Sequence, residues 1–516
     1  MNITSINTFG ELKRTGYKTR HIKDELRDNL IKFLKEKKNP FEGIIGYDET
    51  VIPDIQTAIL SRHNIILLGL RGQAKTKMAR ILINLLDEYI PVVAGSELND
   101  DPYNPLSRYS KDVLNEQGEE TKIEWLHRSE RYAEKLATPD VSVADLIGDV
   151  DPIKAAALKL PYSDERVIHF GLIPRSHRSI FVINELPDLQ ARIQVALFNI
   201  LQESDIQIRG FKVRLPLDIQ FVFTANPEDY TNRGSIVTPL KDRIDSQILT
   251  HYPKTIFLSQ QITEQESRFT PEQKKKINPS QLLKDLVEQI AFEARASEYI
   301  DHKSGVSARL TISAYENLIS AAERRMILNN EDCTHLRISD LYGIIPAITG
   351  KIELVYEGEQ EGPAKVAHIL IGKAIRNMFD KYFPSPDKHN RKDQGINRAQ
   401  QTDRPRPHTE VNPYNMITNW FNKGNMVDLL HSISDKEYDK TLTTVPGLKE
   451  IVKKHHPGIN GRDNLLMMEF VLHGLAEYSM LSKFRLENGI QFKDMLSSMF
   501  TISEEDESEP SDEDIY

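Results

Sequence analysis

The chain has 516 residues, of which 39% are hydrophobic and 28% charged. That length exceeds one core and that composition belongs to folded domains, so a single small domain and a wholly disordered chain are both excluded. The formal net charge of −10 and the single cysteine, Cys333, exclude a strongly basic nucleic-acid binder and an intramolecular disulfide. No apolar run approaches the ~20 residues of a membrane span. The opening segment, MNITSINTFGELKRTGYKTRHIKDEL, lacks the apolar core of a signal peptide, so a cytoplasmic protein is expected.

In chain order, residues 1–38 form an expected N-terminal helical extension. HNIILLGL (63–70) is a continuous apolar run and predicts a buried strand of a parallel sheet. TKMARILINLLDEYI follows with helical spacing, so the glycine-containing loop between them sits in a strand–loop–helix context. RSIFVINEL (178–186) and LDIQFVFTANP (217–227) predict two further buried strands, with the helical stretch LQARIQVALFNILQES between them. This alternation argues for an α/β domain with a parallel sheet, helices on both faces, over 39–258. DIQIRGFKVRLP (205–216) alternates about Gly210 and reads as a β-hairpin. Residues 259–383 turn helical, as a lid after the sheet. Residues 384–413 are rich in proline and charge and read as a linker. A separate C-terminal helical unit is expected over 414–500; its stretch NLLMMEFVLHGLAEYSML reads as core. The tail 501–516 is acidic, and eight acidic residues between Ser503 and Tyr516 leave the rest of the chain at a formal −2.

The loop GLRGQAKT supplies Gly69, Leu70, Arg71, Gly72, Gln73, Ala74, Lys75 and Thr76. It matches the phosphate-loop pattern G-x-x-x-x-G-K-[ST] except that Ala74 replaces the second glycine, and alanine resists positive φ. Loop N–H groups would surround polyphosphate, Lys75 would reach the β- and γ-phosphates, and the Thr76 hydroxyl would face Mg²⁺. At the end of FVINEL, Glu185 suits a general base, and Asn184 stands where an acid would help hold Mg²⁺. Asn226, at the tip of the strand FVFTA, could orient an attacking water. Arg243 in TPLKDRI and Arg309 in SGVSARLT could each meet γ-phosphate charge. Taken singly, these features also fit a chance Lys-Thr in a loop, the polar end of a strand, a turn-forming Asn-Pro and two surface ion pairs.

As an ordered set, GLRGQAKT, FVINEL, FVFTANP, LKDRI and SGVSAR resemble the AAA+ ATPases, and most closely the magnesium chelatase ATPase subunit and the MoxR-type family. NPFEGIIGYDETV (39–51), TPDVSVADLIGDVDPIKA and GFKVRLPLDIQFVFTANPEDYTNRG are similar to further segments of that family, over about residues 39–350. The resemblance implies an ATP-driven homo-oligomeric ring, usually a hexamer, with Mg²⁺ and with nucleotide between subunits. It also implies a partner protein carrying a von Willebrand A domain. By the same resemblance, Lys75 and Thr76 are Walker A, Glu185 the Walker B acid, Asn226 sensor 1, Arg243 the arginine finger and Arg309 sensor 2. Asn184 departs from the Walker B aspartate, which leaves two readings open beside a remodelling ATPase. One is a nucleotide-gated scaffold with negligible turnover. The other is a DNA-acting AAA+ regulator, against which the nearly neutral body argues.

Overall fold

The computed structural model describes residues 3–161, 164–203, 205–208, 214–227, 236–387 and 412–495. The hairpin tip at Gly210, most of the expected linker and the acidic tail lie outside the described residues. The chain forms two compact units, Met1–Tyr252 and Pro253–Tyr516, so the sheet domain closes a few residues before the expected boundary at 258.

The first unit is built on five parallel strands: β1 (Ile65–Leu68), β2 (Tyr132–Leu136), β3 (Ser179–Asn184), β4 (Ile219–Ala225) and β5 (Ser246–Leu249), in the order β5-β1-β4-β3-β2. The three central strands are the three apolar runs expected from sequence. Alternate side chains enter opposite layers, as the strand period of two requires. Ile65, Leu67, Ile180, Val182 and Val222 join one core with α1 (Ile22–Lys35), α2 (Val51–Leu60) and α3 (Lys75–Ile81). Ile66, Leu68, Phe181, Ile183, Phe221 and Phe223 join the other, with Ile193, Leu197 and Ile200 from the helices after β3. The result is a five-stranded parallel sheet with helices on both faces.

The expected N-terminal extension is part of this sandwich. Arg131, just before β2, is 1% exposed, and both its terminal nitrogens donate to the Glu25 carboxylate of α1 at 2.7 Å. Residues 76–90 differ from the long helix expected: α3 ends at Ile81, a 3₁₀ turn covers Leu82–Leu85, and Tyr89–Val93 pairs as a strand with Ile123–His127.

The second unit carries the long helices expected of a lid, α4 (Gln281–Ala296), α5 (Arg309–Leu328) and α6 (Pro363–Tyr382), and then α7 (Arg462–Glu477). The unit expected to stand alone over 414–500 instead shares one core with these lid helices, from Tyr414 to Phe492. It also adds an antiparallel sheet of β6 (Val427–Leu430), β7 (Ser482–Leu486) and β8 (Gly489–Lys493), with β8 central. The fully buried Glu469 of α7 accepts hydrogen bonds from the Ile338 and Ser339 N–H groups at 2.7 and 2.9 Å and from the Tyr438 hydroxyl at 2.7 Å. Arg337 pairs with Asp435 at 2.6 Å across the same seam.

Candidate functional site

β1 is buried along its whole length and delivers the chain to the loop Gly69–Ala74. The Gly69 N–H continues the ladder to the Ala225 carbonyl at 3.2 Å. A Cβ on Gly69 would lie 1.9 Å from Thr250 Oγ1 and 2.1 Å from Gln73 Oε1, so any side chain here would displace the Thr250–Gln73 pair that braces the loop. Gly72 and Ala74 both have positive φ, 74° and 57°. Ala74 therefore does take the left-handed conformation that the phosphate-loop pattern reserves for glycine. Three side chains pin the loop from below. Thr250 donates to Gln73 Oε1 at 2.6 Å, Tyr252 donates to the Arg71 carbonyl at 2.9 Å, and the Tyr47 hydroxyl lies 3.0 Å from the Gln73 carbonyl oxygen. Leu70 and Arg71 lie at the outer turn of the loop, Arg71 exposed.

Lys75, only 7% exposed, opens α3 and turns its ammonium back under the loop. Its Nζ donates to the Gly69 carbonyl, to the Leu70 carbonyl at 3.1 Å and to Asn226 Oδ1 at 2.6 Å. Asn226 in turn donates through Nδ2 to Glu185 Oε2 at 3.1 Å. Thus Lys75, Asn226 and Glu185 form one hydrogen-bonded chain across β1, β4 and β3. A second chain runs beside it. The hydroxyls of Thr76 and Thr224 both donate to Asn184 Oδ1, at 3.4 and 3.2 Å, and the Glu185 N–H donates to Thr224 Oγ1 at 3.1 Å. The register explains the convergence. Leu68 pairs with Ala225 and Ile183 with Phe223, so the three strands end together and their next residues are neighbours. Glu185 leaves β3 at φ 55°, a left-handed turn that brings its carboxylate back toward Asn226.

Five of the residues predicted from sequence, Lys75, Thr76, Asn184, Glu185 and Asn226, therefore meet at one end of the sheet. Arg243 does not join them. Its Nε donates to Gln202 Oε1 at 3.0 Å, its Nη1 to the Pro239 carbonyl at 2.7 Å, and its guanidinium lies over the Phe198 ring at 5.0 Å. Arg309 is exposed at the first residue of α5 and belongs to the second unit. Sequence reasoning missed Thr224, Thr250, Tyr47 and Tyr252. Thr224 left one signal, a hydroxyl in a strand otherwise apolar from Phe221 to Ala225.

No group of three or more His, Cys, Asp or Glu side chains among the described residues could hold a metal ion. The site offers the Thr76 hydroxyl, the Asn184 amide oxygen and the Glu185 carboxylate. That set suits Mg²⁺ only when phosphate oxygens complete its shell, which is how Mg²⁺ binds in nucleotide sites.

No protein-family model matches the chain. Among solved structures it is similar to a candidate ATPase from Cytophaga hutchinsonii, with 17% identity, 70% of this chain and 97% of that one covered, and a TM-score of 0.29. It is also similar to the magnesium chelatase BchI–BchD assembly, with 16% identity, 62% and 98% coverage and a TM-score of 0.32. A third likeness is Thermotoga maritima RuvB carrying P216G, with 10% identity, 78% and 96% coverage and a TM-score of 0.34. The chemistry of the site is carried by the residues above.

Proposed function

We propose that the loop Gly69–Thr76 binds ATP with Mg²⁺ and that the chain hydrolyses it, as an AAA+ remodelling ATPase of magnesium chelatase or MoxR type. Its target would be a partner protein, one with a von Willebrand A domain, or a metal-insertion complex. The observation that carries the reading is the convergence of Lys75, Asn226 and Glu185 in one hydrogen-bonded chain beside Thr76 and Asn184. On this reading Lys75 exchanges the Gly69 and Leu70 carbonyls for phosphate oxygens, and the exposed loop N–H groups hold the rest. Glu185 accepts the proton of the attacking water, and Asn226, already bonded to it, fixes that water's direction. Thr76 and Asn184 would hold Mg²⁺, which supplies charge neutralisation between the β- and γ-phosphates. Arg243 would act on a neighbouring subunit's nucleotide in a hexameric ring, and Arg309 would report γ-phosphate to the lid. A cytoplasmic location belongs to the same proposal; no described helix is long and apolar enough to cross a membrane.

A second reading is favoured by Asn184. This neutral residue already accepts two hydroxyls, and an uncharged partner for Mg²⁺ would suit a nucleotide-gated scaffold with little turnover. One experiment separates the readings. Binding of a fluorescent ATP analogue and phosphate release are measured for wild type, Lys75→Ala and Glu185→Gln. Lys75→Ala is expected to lose binding, and Glu185→Gln to bind while turning over at least ~100-fold more slowly. Wild type that binds without releasing phosphate supports the scaffold. Undiminished binding by Lys75→Ala moves the nucleotide elsewhere.

A further inference from the structure

Asn184 has a problem that an aspartate in its place would not have. A carboxylate presents two equivalent oxygens, whereas an amide presents one oxygen and one NH₂. Rotated by half a turn, Asn184 would point its NH₂ at the Thr76 hydroxyl and at any cation held there. The structure shows what fixes the rotation. Thr224, 1% exposed on β4, has a single hydroxyl hydrogen. Its oxygen is already an acceptor, because the Glu185 backbone N–H can only donate and does so at 3.1 Å. The Glu185 N–H cannot take the Thr224 hydrogen, which instead finds its acceptor in Asn184 Oδ1 at 3.2 Å. The polarity runs from the Glu185 N–H to the Thr224 hydroxyl to Asn184 Oδ1, and it leaves the amide oxygen on the side of Thr76.

We infer that Thr224 is a positioning residue that holds the Asn184 carbonyl toward the Mg²⁺–nucleotide site, and that the chain depends on it because residue 184 is asparagine. The inference rests on the nucleotide-binding reading above. The hydroxyl serves both halves of the Walker B pair, keeping the metal-facing oxygen outward and accepting from the N–H of Glu185 at its left-handed turn. With an aspartate at 184, either rotamer would present an oxygen, and the orienting half of this role would lapse while the bond to Glu185 remained.

The test is a thermodynamic cycle read by binding, not by turnover. A fluorescent ATP analogue is titrated at increasing Mg²⁺ with full-length wild type, Thr224→Val, Thr224→Ser, Asn184→Asp and the Asn184→Asp/Thr224→Val pair, each with its thermal melting curve. Thr224→Val should raise the Mg²⁺ concentration for half-maximal binding by roughly 10-fold, the usual size of losing an outer-shell partner. Thr224→Ser should restore it to within about 3-fold of wild type, and in the Asn184→Asp background Thr224→Val should cost less than about 3-fold, a coupling that only orientation of the amide predicts. Thr224→Val and Thr224→Ser failing alike would show that the methyl group packs and the hydroxyl does not act. Thr224→Val failing equally in both backgrounds, whether in binding or in folding, would reduce Thr224 to a support for Glu185. Either result overturns the inference. Wild type that binds no nucleotide at any Mg²⁺ concentration instead overturns the function on which it rests.

Discussion

Ala74 sits at φ 57°, ψ 20°, where an L-residue pays about 1–2 kcal/mol that glycine does not. The residue is exposed, so packing offsets little of that strain. Ala74→Gly should therefore stabilise the first unit by about 0.5–1 kcal/mol, after glycine's greater freedom in the unfolded chain is subtracted. Urea unfolding checks the sign, and the affinity for an ATP analogue should stay within a few-fold. Destabilisation would mean that the methyl group makes a contact worth more than the strain. Ala74, Lys75, Thr76, Glu185 and Asn226 were legible in the sequence because each sits at a fixed offset from a buried strand, and the ends of parallel strands meet. Thr224 was not. Threonine is itself a good strand former, so one hydroxyl among Phe221, Val222, Phe223 and Ala225 looks like propensity rather than a hydrogen bond.

Among the elements, the three central strands announced themselves as apolar runs, and the two edge strands did not. Tyr132–Leu136 and Ser246–Leu249 read YAEKL and SQIL, half exposed and half polar, because an edge strand has a neighbour on one side only. The same reason hid β6, β7 and β8, short antiparallel strands with one wet face. The helices of the second unit were plain from their period, but their closest approach was not. A Cβ on Gly474 of α7 would lie 2.1 Å from Cδ2 of Phe379 on α6. Helix propensity alone would have Gly474→Ala stabilise by about 1 kcal/mol. The ring is fully buried and packs against Phe383, Tyr414, Phe470 and Tyr478, and overpacking of this kind costs about 1–3 kcal/mol. Net destabilisation of the second unit is therefore expected, visible as a lower urea midpoint for its transition. A raised midpoint would show that Phe379 can repack.

At the scale of the molecule, the first unit holds a site that the proposed ring would complete. Arg243 spends its donors on Gln202 and Pro239 within its own chain, away from Lys75 and Glu185. If it serves a neighbour, Arg243→Ala should bind ATP nearly normally and hydrolyse it ~10³-fold more slowly. Mixing it with Lys75→Ala should then regain activity, since an intact pocket meets an intact arginine at some interfaces. Silent mixtures, with sizing that shows mixed assemblies, would leave Arg243 as a brace for Gln202 and Phe198. No motif announced that the chain beyond 412 shares a core with the lid, because shared burial has no local spacing. The seam closed by Glu469 has a consequence in time. Ile338 and Glu469 are 131 residues apart in the chain. At the ~5–20 residues per second of synthesis, the helices that α7 will cover stay bare for on the order of ten seconds after they leave the ribosome. For that interval the second unit displays its own unfinished core as an apolar surface that only the arrival of α7 closes.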